Sequence, residues 1–266
     1  MIGKNHPALR RLRALRRDPA RRREEGVFVA EGLHLAQEAL DAGAEIELAL
    51  GSPRLALTPE GRALLGVLES AGVPYLETSE AAIETAQDAR SPQPVVCVVR
   101  ARVVDLQASL ERASLVVLAC GVQDPGNLGA ILRTADAAGA DLLLADGASA
   151  DLHHARAVRG SQGSIFRLPA LRGDLDAFAH ELVARRFRLL AADPRGELSF
   201  ADTDWSGRVA IVLGAEGAGL PPELDRLLDA RIRIPMRDRV ESLSVGAAAA
   251  VLLFEARRRL GSGPES

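Results

Sequence analysis

The alternation of apolar and polar positions divides this chain into two α/β series joined by a short connector. In the first, Leu9, Leu12 and Leu15 recur every three residues with arginines between them, the pattern of a basic amphipathic helix. Residues 26–30 read as a strand, 31–42 as a helix stopped by Gly43, and 46–50 as a second strand. A helix over 59–71, a strand over 73–76, a short helix over 79–86 and a strongly apolar strand over 94–99 complete a unit of ordinary domain size. Residues 100–113 predict a connector with a turn or two of helix. The second series runs strand 115–119, helix 128–138 closed by Gly139, strand 141–145, helix 153–160 and an extended stretch 165–169. Helix 175–186, strands 187–192, 209–213 and 231–234, and a long helix 244–260 follow. Strands alternating with helices predict a mainly parallel sheet covered on both faces. The expected organisation is a smaller α/β/α domain over 1–100, a linker over 101–113 and a larger α/β domain over 114–266.

Composition narrows the class. Hydrophobic residues at 47% and charged residues at 26% suit a globular chain whose core needs neither disulfide nor metal. Cys97 and Cys120 sit in apolar runs and lack the His/Cys spacing of a zinc site, so both are expected buried and no metal is expected. No run approaches the roughly 18 unbroken apolar residues of a membrane span. The N-terminal segment has no apolar core of a secretory signal, so a cytoplasmic location is the expectation.

The net charge of −3 conceals a cluster: Lys4, Arg10, Arg11, Arg13, Arg16, Arg17, Arg21, Arg22 and Arg23 stand against Asp18 alone. A phosphate backbone is the partner such a cluster points to, with Arg10, Arg11, Arg13, Arg16 and Arg17 as first candidates. Lys4 is the only lysine in the chain, so the preference for arginine is partly compositional; the clustering is not.

In a parallel α/β sheet, ligands bind beyond the carboxyl ends of the strands. Three segments fall there. In the first, Asp124-Pro125-Gly126 makes a turn, Asn127 is placed to cap a helix, and Arg133 lies one turn beyond Gly129. Alone, this reads equally well as a capped helix with a surface arginine. The second is Leu213-Gly214-Ala215-Glu216-Gly217-Ala218-Gly219-Leu220, a strand end whose glycines admit close backbone approach. Its glycine spacing is not the dinucleotide fingerprint, and no ribose-binding acid follows, which disfavours a nucleotide-dependent dehydrogenase. The third joins Ile234-Pro235-Met236 to Glu241-Ser242-Leu243-Ser244-Val245-Gly246. Ser242 or Ser244 can cap the last helix, and the small residues 246–250 demand a close neighbour.

In this order the three segments resemble the SpoU/TrmH branch of the SPOUT methyltransferases over roughly residues 114–259. The stretch Val158-Arg159-Gly160-Ser161-Gln162-Gly163-Ser164-Ile165-Phe166 is similar to that family's mid-domain segment. The preceding domain resembles an L30e-like RNA-binding domain, most recognisably at Phe28-Val29-Ala30-Glu31-Gly32. The resemblance implies a C-terminal trefoil knot and a homodimer in which the neighbouring subunit completes each active site. It implies S-adenosyl-L-methionine against Leu213, Gly214, Gly217, Ile234, Met236, Leu243 and Ser244, and catalytic positions at Asn127, Arg133, Glu216 and Ser242. Arg159 joins the N-terminal arginines as an expected RNA contact. The implied reaction is methyl transfer to a ribose 2′-hydroxyl of RNA, with large-subunit rRNA favoured over tRNA because an L30e-like domain tends to accompany rRNA-directed members.

A guanidinium with a pKa above about 12 is a poor base. Arg133 is therefore expected to grip phosphate and the 2′-oxygen, Glu216 to orient it, and Ser242 to contact phosphate or ribose. The chain departs from the family pattern at Ser244, where asparagine is usual, and at Arg237-Asp238-Arg239, where a glycine is usual. A non-catalytic RNA-binding protein with a degenerate methyltransferase domain is the alternative, and cofactor binding discriminates the two.

Overall fold

A computed structural model describes residues 1–88, 91–214 and 220–261 of the chain. It divides into two compact units, Met1–Val103 with His153–Phe166, and Val104–Leu152 with Arg167–Ser266.

The first unit begins with helices α1 (Pro7–Arg17) and α2 (Pro19–Glu25), followed by β1 (Val27–Glu31), α3 (Leu33–Asp41) and β2 (Ile46–Gly51). A 3-10 turn over Pro53–Leu57 leads to α4 (Pro59–Ser70), β3 (Tyr75–Glu77), α5 (Glu80–Glu84) and β4 (Val95–Arg100). Its four strands form one sheet in the order β1-β4-β2-β3, antiparallel except for the parallel pair β2 and β3. Leu9, Leu12 and Leu15 are fully buried against β1 and β4, as their spacing predicts. The sequence reading lacks α2, although Asp18 caps it through the backbone N–H groups of Ala20 and Arg21, with Pro19 at the first helical position.

The second unit opens with α6 (Leu106–Arg112), β5 (Leu115–Ala119), α7 (Pro125–Ala137) and β6 (Leu142–Asp146). The chain then packs a short excursion into the first unit, containing α8 (Ala155–Ser161) and the start of α9 (Ser164–Arg167). It returns through β7 (Ala170–Gly173), α10 (Leu175–Ala184), β8 (Phe187–Ala192), β9 (Leu198–Ser199) and β10 (Arg208–Leu213). It continues with α11 (Pro222–Asp225), β11 (Ala230–Arg233) and α12 (Val245–Leu260). The seven strands are parallel throughout, in the order β7-β6-β5-β10-β8-β11-β9. β5, β6 and almost all of β10 are buried on both faces, which is why they read as unbroken apolar runs rather than alternating ones.

Two expectations change. Residues 165–169 do not extend: Ser164–Arg167 is a helical turn, and the edge strand starts at Ala170. Phe166 is buried there, stacked on Phe28 with ring centroids 5.8 Å apart, and burial of that ring overrides its strand preference. The segment placed in the second domain by sequence, His153–Phe166, packs with the first unit instead. His153 stacks on Phe28 at 4.6 Å, and Arg159 pairs with the buried Glu31 at 3.2 Å.

Both cysteines are buried and free of disulfides. Burial pushes the Cys97 thiol up to about 12, and burial with the Asp146 charge raises that of Cys120. Neither thiol should react with an aromatic disulfide reagent at pH 8 in the native protein, and both should react after urea unfolding. Labelling of one thiol in the folded state would contradict this burial.

Candidate active site

The site grows from the carboxyl ends of the second unit's strands. At the end of β5 the chain turns through Gly121 and Val122 into α7. Asp146, at the end of β6, braces that turn: its Oδ1 accepts N–H bonds from Gly121 at 3.0 Å and Ser149 at 2.7 Å, and the Ser149 hydroxyl at 2.6 Å. Ser149 Oγ in turn accepts the Val122 N–H at 3.0 Å. The start of α7 is thus tied to two adjacent strands.

The helix begins one turn earlier than its sequence suggests. Asp124, not Asn127, is the N-cap, accepting the Asn127 N–H at 3.0 Å, and Pro125 takes the first helical position. This frees the Asn127 amide from capping. Arg133 is exposed on α7 and has no ion-pair or hydrogen-bond partner among the described residues.

Beyond β8, β10 and β11 lies a cavity of about 560 Å³, within the range of small-molecule sites. Leu213, Leu220, Ile232, Ile234, Val245 and Leu252 give it apolar walls, with Gly214, Met236 and Leu243 beside them. Its polar lining comes from Asp193, Arg195, Arg231, Glu241 and Ser242. The Arg231 guanidinium bridges Asp193, at 2.7 Å, and Asp225. Its backbone N–H donates to Glu197 at 3.0 Å, and that bond holds the Glu197 carboxyl below its usual range. The Arg233 guanidinium donates to the carbonyls of Gly196 and Glu197. A Cβ at Gly196 would stand 2.6 Å from the Arg231 carbonyl oxygen, so only glycine lets this loop lie so close to β11.

The expected site residues therefore separate into groups. Leu213, Gly214, Ile234, Met236 and Leu243 line the cavity together with Ser242. Ser244 does not line it; its hydroxyl caps α12 by accepting the Ala247 N–H at 3.3 Å. Asn127 and Arg133 lie on α7 and are not among the cavity walls. Glu216 and Gly217 lie outside the described residues. Asp193, Arg195 and Arg231 were not singled out by sequence, although Asp193-Pro194-Arg195-Gly196 is a turn sequence directly after a strand, and Glu241, within the third segment, had no role assigned.

In the first unit, several expected RNA contacts are committed internally. Arg11 pairs with Glu25 and Glu47, Arg13 donates to Thr85, and Arg16 donates to the Gln87 carbonyl. Arg159 pairs with Glu31. Arg10 and Arg17 are exposed without a described partner.

The fold and the site define an α/β protein with a parallel sheet, a cavity at its strand ends and a further unit whose first two helices carry a cluster of arginines. The chain belongs to the SpoU rRNA Methylase family, whose profile matches residues 114–254, while that of the MRM3-like substrate binding domain matches residues 6–97. It is 30% identical to the Bacillus subtilis 23S rRNA (guanosine(2553)-2'-O)-methyltransferase RlmP, over 89% of this chain and 90% of that protein. It is also 30% identical to the 23S rRNA (uridine(2479)-2'-O)-methyltransferase of Streptomyces viridochromogenes, over 98% of this chain and 96% of that one. Its fold is similar to that of an AdoMet-bound rRNA methyltransferase from Sinorhizobium meliloti, with a TM-score of 0.86, 33% identity and 98% of each chain covered.

Asp146 offers a direct test of the brace. Asp146→Ala leaves buried N–H groups without an acceptor, a cost of about 1–3 kcal/mol. The urea midpoint should fall with little change in slope, and Asp146→Asn, which keeps a carbonyl acceptor, should fall less.

Proposed function

We propose that this protein transfers a methyl group from S-adenosylmethionine to a ribose 2′-hydroxyl of large-subunit ribosomal RNA. The observation that carries the reading is the cavity at the ends of β8, β10 and β11 in a chain of the SpoU family. The residues present fit the cofactor. Leu213, Ile234 and Leu252 offer an apolar slot for an adenine ring, Gly214 leaves backbone open beside it, and the charged lining suits a polar amino-acid end. Relatives named as 23S rRNA 2′-O-methyltransferases, and the first unit's match to a substrate binding domain, support rRNA as substrate.

When bound, the cofactor supplies an electrophilic methyl group on a sulfonium. The chain's residues position and polarise the hydroxyl. Arg133 grips the target phosphate and stabilises negative charge developing on the 2′-oxygen, a role its fixed positive charge suits better than proton removal. Asn127, one turn from the α7 cap, holds ribose or phosphate on the same helix, and Glu216 orients Arg133. Ser242, at the cavity wall, contacts the ribose or its phosphate. Ser244 serves the helix start.

The working form is a homodimer in which one subunit's α7 meets the other's cavity. Two features support this: Asn127 and Arg133 do not line the cavity of their own chain, and Val240, Leu243 and Phe254 are exposed apolar side chains near it or on α12. The C-terminal thread is a trefoil knot, a reading that rests on family membership and on the insertion of β10 between β5 and β8. The protein works in the cytoplasm, where its rRNA substrate would be; no helix among the described residues is long and apolar enough to cross a membrane.

Incubation with methyl-labelled cofactor and purified rRNA or tRNA, followed by nucleoside analysis, tests the reading. A 2′-O-methylated nucleoside from large-subunit rRNA is expected, and label confined to tRNA or to a base would overturn it. Arg133→Ala should reduce transfer by at least about a hundredfold while cofactor affinity by calorimetry changes less than about threefold. Equal loss of both would remove Arg133 from the reacting centre. Arg10→Ala and Arg17→Ala should each lower the slope of log affinity for rRNA against log salt by about one. An unchanged slope would place the RNA track elsewhere.

A further inference from the structure

Four ionisable side chains line the cavity: Asp193, Arg195, Arg231 and Glu241. Two of them neutralise each other, because Arg231 is paired to Asp193 at 2.7 Å and also to Asp225. Arg195 and Glu241 are both exposed, and neither side chain has a hydrogen-bond or ion-pair partner among the described residues. The loop that carries Arg195 is held rigidly. Asp193 Oδ1 accepts the Arg195 N–H at 2.8 Å, Gly196 N–H donates to the Asp193 carbonyl at 2.9 Å, and Asp193 N–H donates to Ile232 at 3.0 Å. Among the described residues, the cavity thus presents one unpartnered cation on a hydrogen-bonded loop and one unpartnered anion on the segment before α12, beside its apolar walls.

That charge pattern complements a zwitterion. We infer that Arg195 and Glu241 bind the amino-acid end of the methyl donor, Arg195 holding its α-carboxylate and Glu241 its α-ammonium group. The inference rests on the methyltransferase reading of the cavity and adds which residues recognise the cofactor's polar end. A guanidinium fork matches a carboxylate with two parallel N–H bonds, so Arg195 is the stronger anchor of the two.

S-adenosylhomocysteine and 5′-methylthioadenosine share the adenosyl thioether, and only the first carries the amino-acid group. Calorimetric titration of the purified protein with each separates contacts to the two ends. The wild type should prefer S-adenosylhomocysteine by tenfold or more. Arg195→Ala should shrink that preference by about tenfold, and Glu241→Gln by a smaller factor, with affinity for methylthioadenosine and the thermal midpoint unchanged. Arg195→Lys should restore part of the preference. Equal weakening toward both ligands would overturn the inference, since it means a structural role. So would an unchanged preference accompanied by weaker rRNA binding, which assigns Arg195 to the nucleic acid. Failure of the wild type to bind either ligand would instead sink the methyltransferase reading of the cavity and this inference with it.

Discussion

The pairing of β5 with β10 is the constraint on which the second unit depends. The strands are parallel, with Val209 opposite Leu115 and Leu213 opposite Ala119, and Val209–Leu213 and β5 are buried throughout. Each fully buried leucine, valine or isoleucine contributes about 1.5–3 kcal/mol relative to exposure, so burial of these two strands is a large part of what holds the sheet. Because they are parallel and end at the same level, the turn into α7 and Gly214 lie side by side at the carboxyl end of the sheet. β8 flanks β10 on the other side in matching register, from Arg208 opposite Phe187 to Leu213 opposite Ala192. Inserting β10 between strands that precede it in sequence thus brings together the ends from which α7 and the cavity are built.

α12 ties those parts to one another. Val245, Ala248 and Leu252 face the cavity, while Gly246 faces α7, where a Cβ would sit in ordinary van der Waals contact, 3.7 Å from that of Ala130. At the far end, Arg257 donates to the carbonyls of Ala138 and Gly139, satisfying groups that the end of α7 leaves open. The run of small residues is therefore explained by a neighbouring helix on one side and a ligand wall on the other. Ser244 fits the same logic. Serine is as good an N-cap as asparagine, so the departure from the family pattern preserves the start of α12 and gives up only the longer amide.

How much was legible follows from what each feature needs. Strands such as β5 and β10 were readable because burial on both faces writes an unbroken apolar run into the sequence. Leu213, Gly214, Ile234, Met236, Ser242 and Leu243 were grouped by their order along the chain, and in the structure all six line one cavity. The Asp193–Arg231 pair was not, because it joins residues 38 apart and exists only once β8 and β11 are neighbours. The ion pair of Arg159 was not readable for a related reason. Its partner Glu31 lies 128 residues earlier, and nothing local announces that a buried carboxylate waits for it. Asn127 was misplaced by one turn because Asp124 and Asn127 are both good caps, and the choice fell to Pro125, which is pre-set for the first helical position.

A chain with a single lysine must use guanidinium groups for every structural and functional cation, so residue type alone cannot tell the two apart. Geometry does. Arg208 donates to the carbonyls of Ala113, Leu110, Glu111 and Arg185 and lies over the Phe187 ring at 4.5 Å, which spends its donors on strand and helix ends. Arg22 is buried and donates to the carbonyls of Leu15 and Arg16. By contrast Arg133, exposed on α7, and Arg195, on the loop after β8, have no partner among the described residues. An unpaired guanidinium keeps its fork open for an incoming oxyanion, whereas a paired one would have to give up an existing bond first. Methyl transfer to RNA brings oxyanions of two kinds, the phosphate and developing alkoxide of the ribose and the carboxylate of the donor. With Arg133 on α7 and Arg195 on the cavity wall, the two cations are carried by different elements, so the roles proposed for them do not compete.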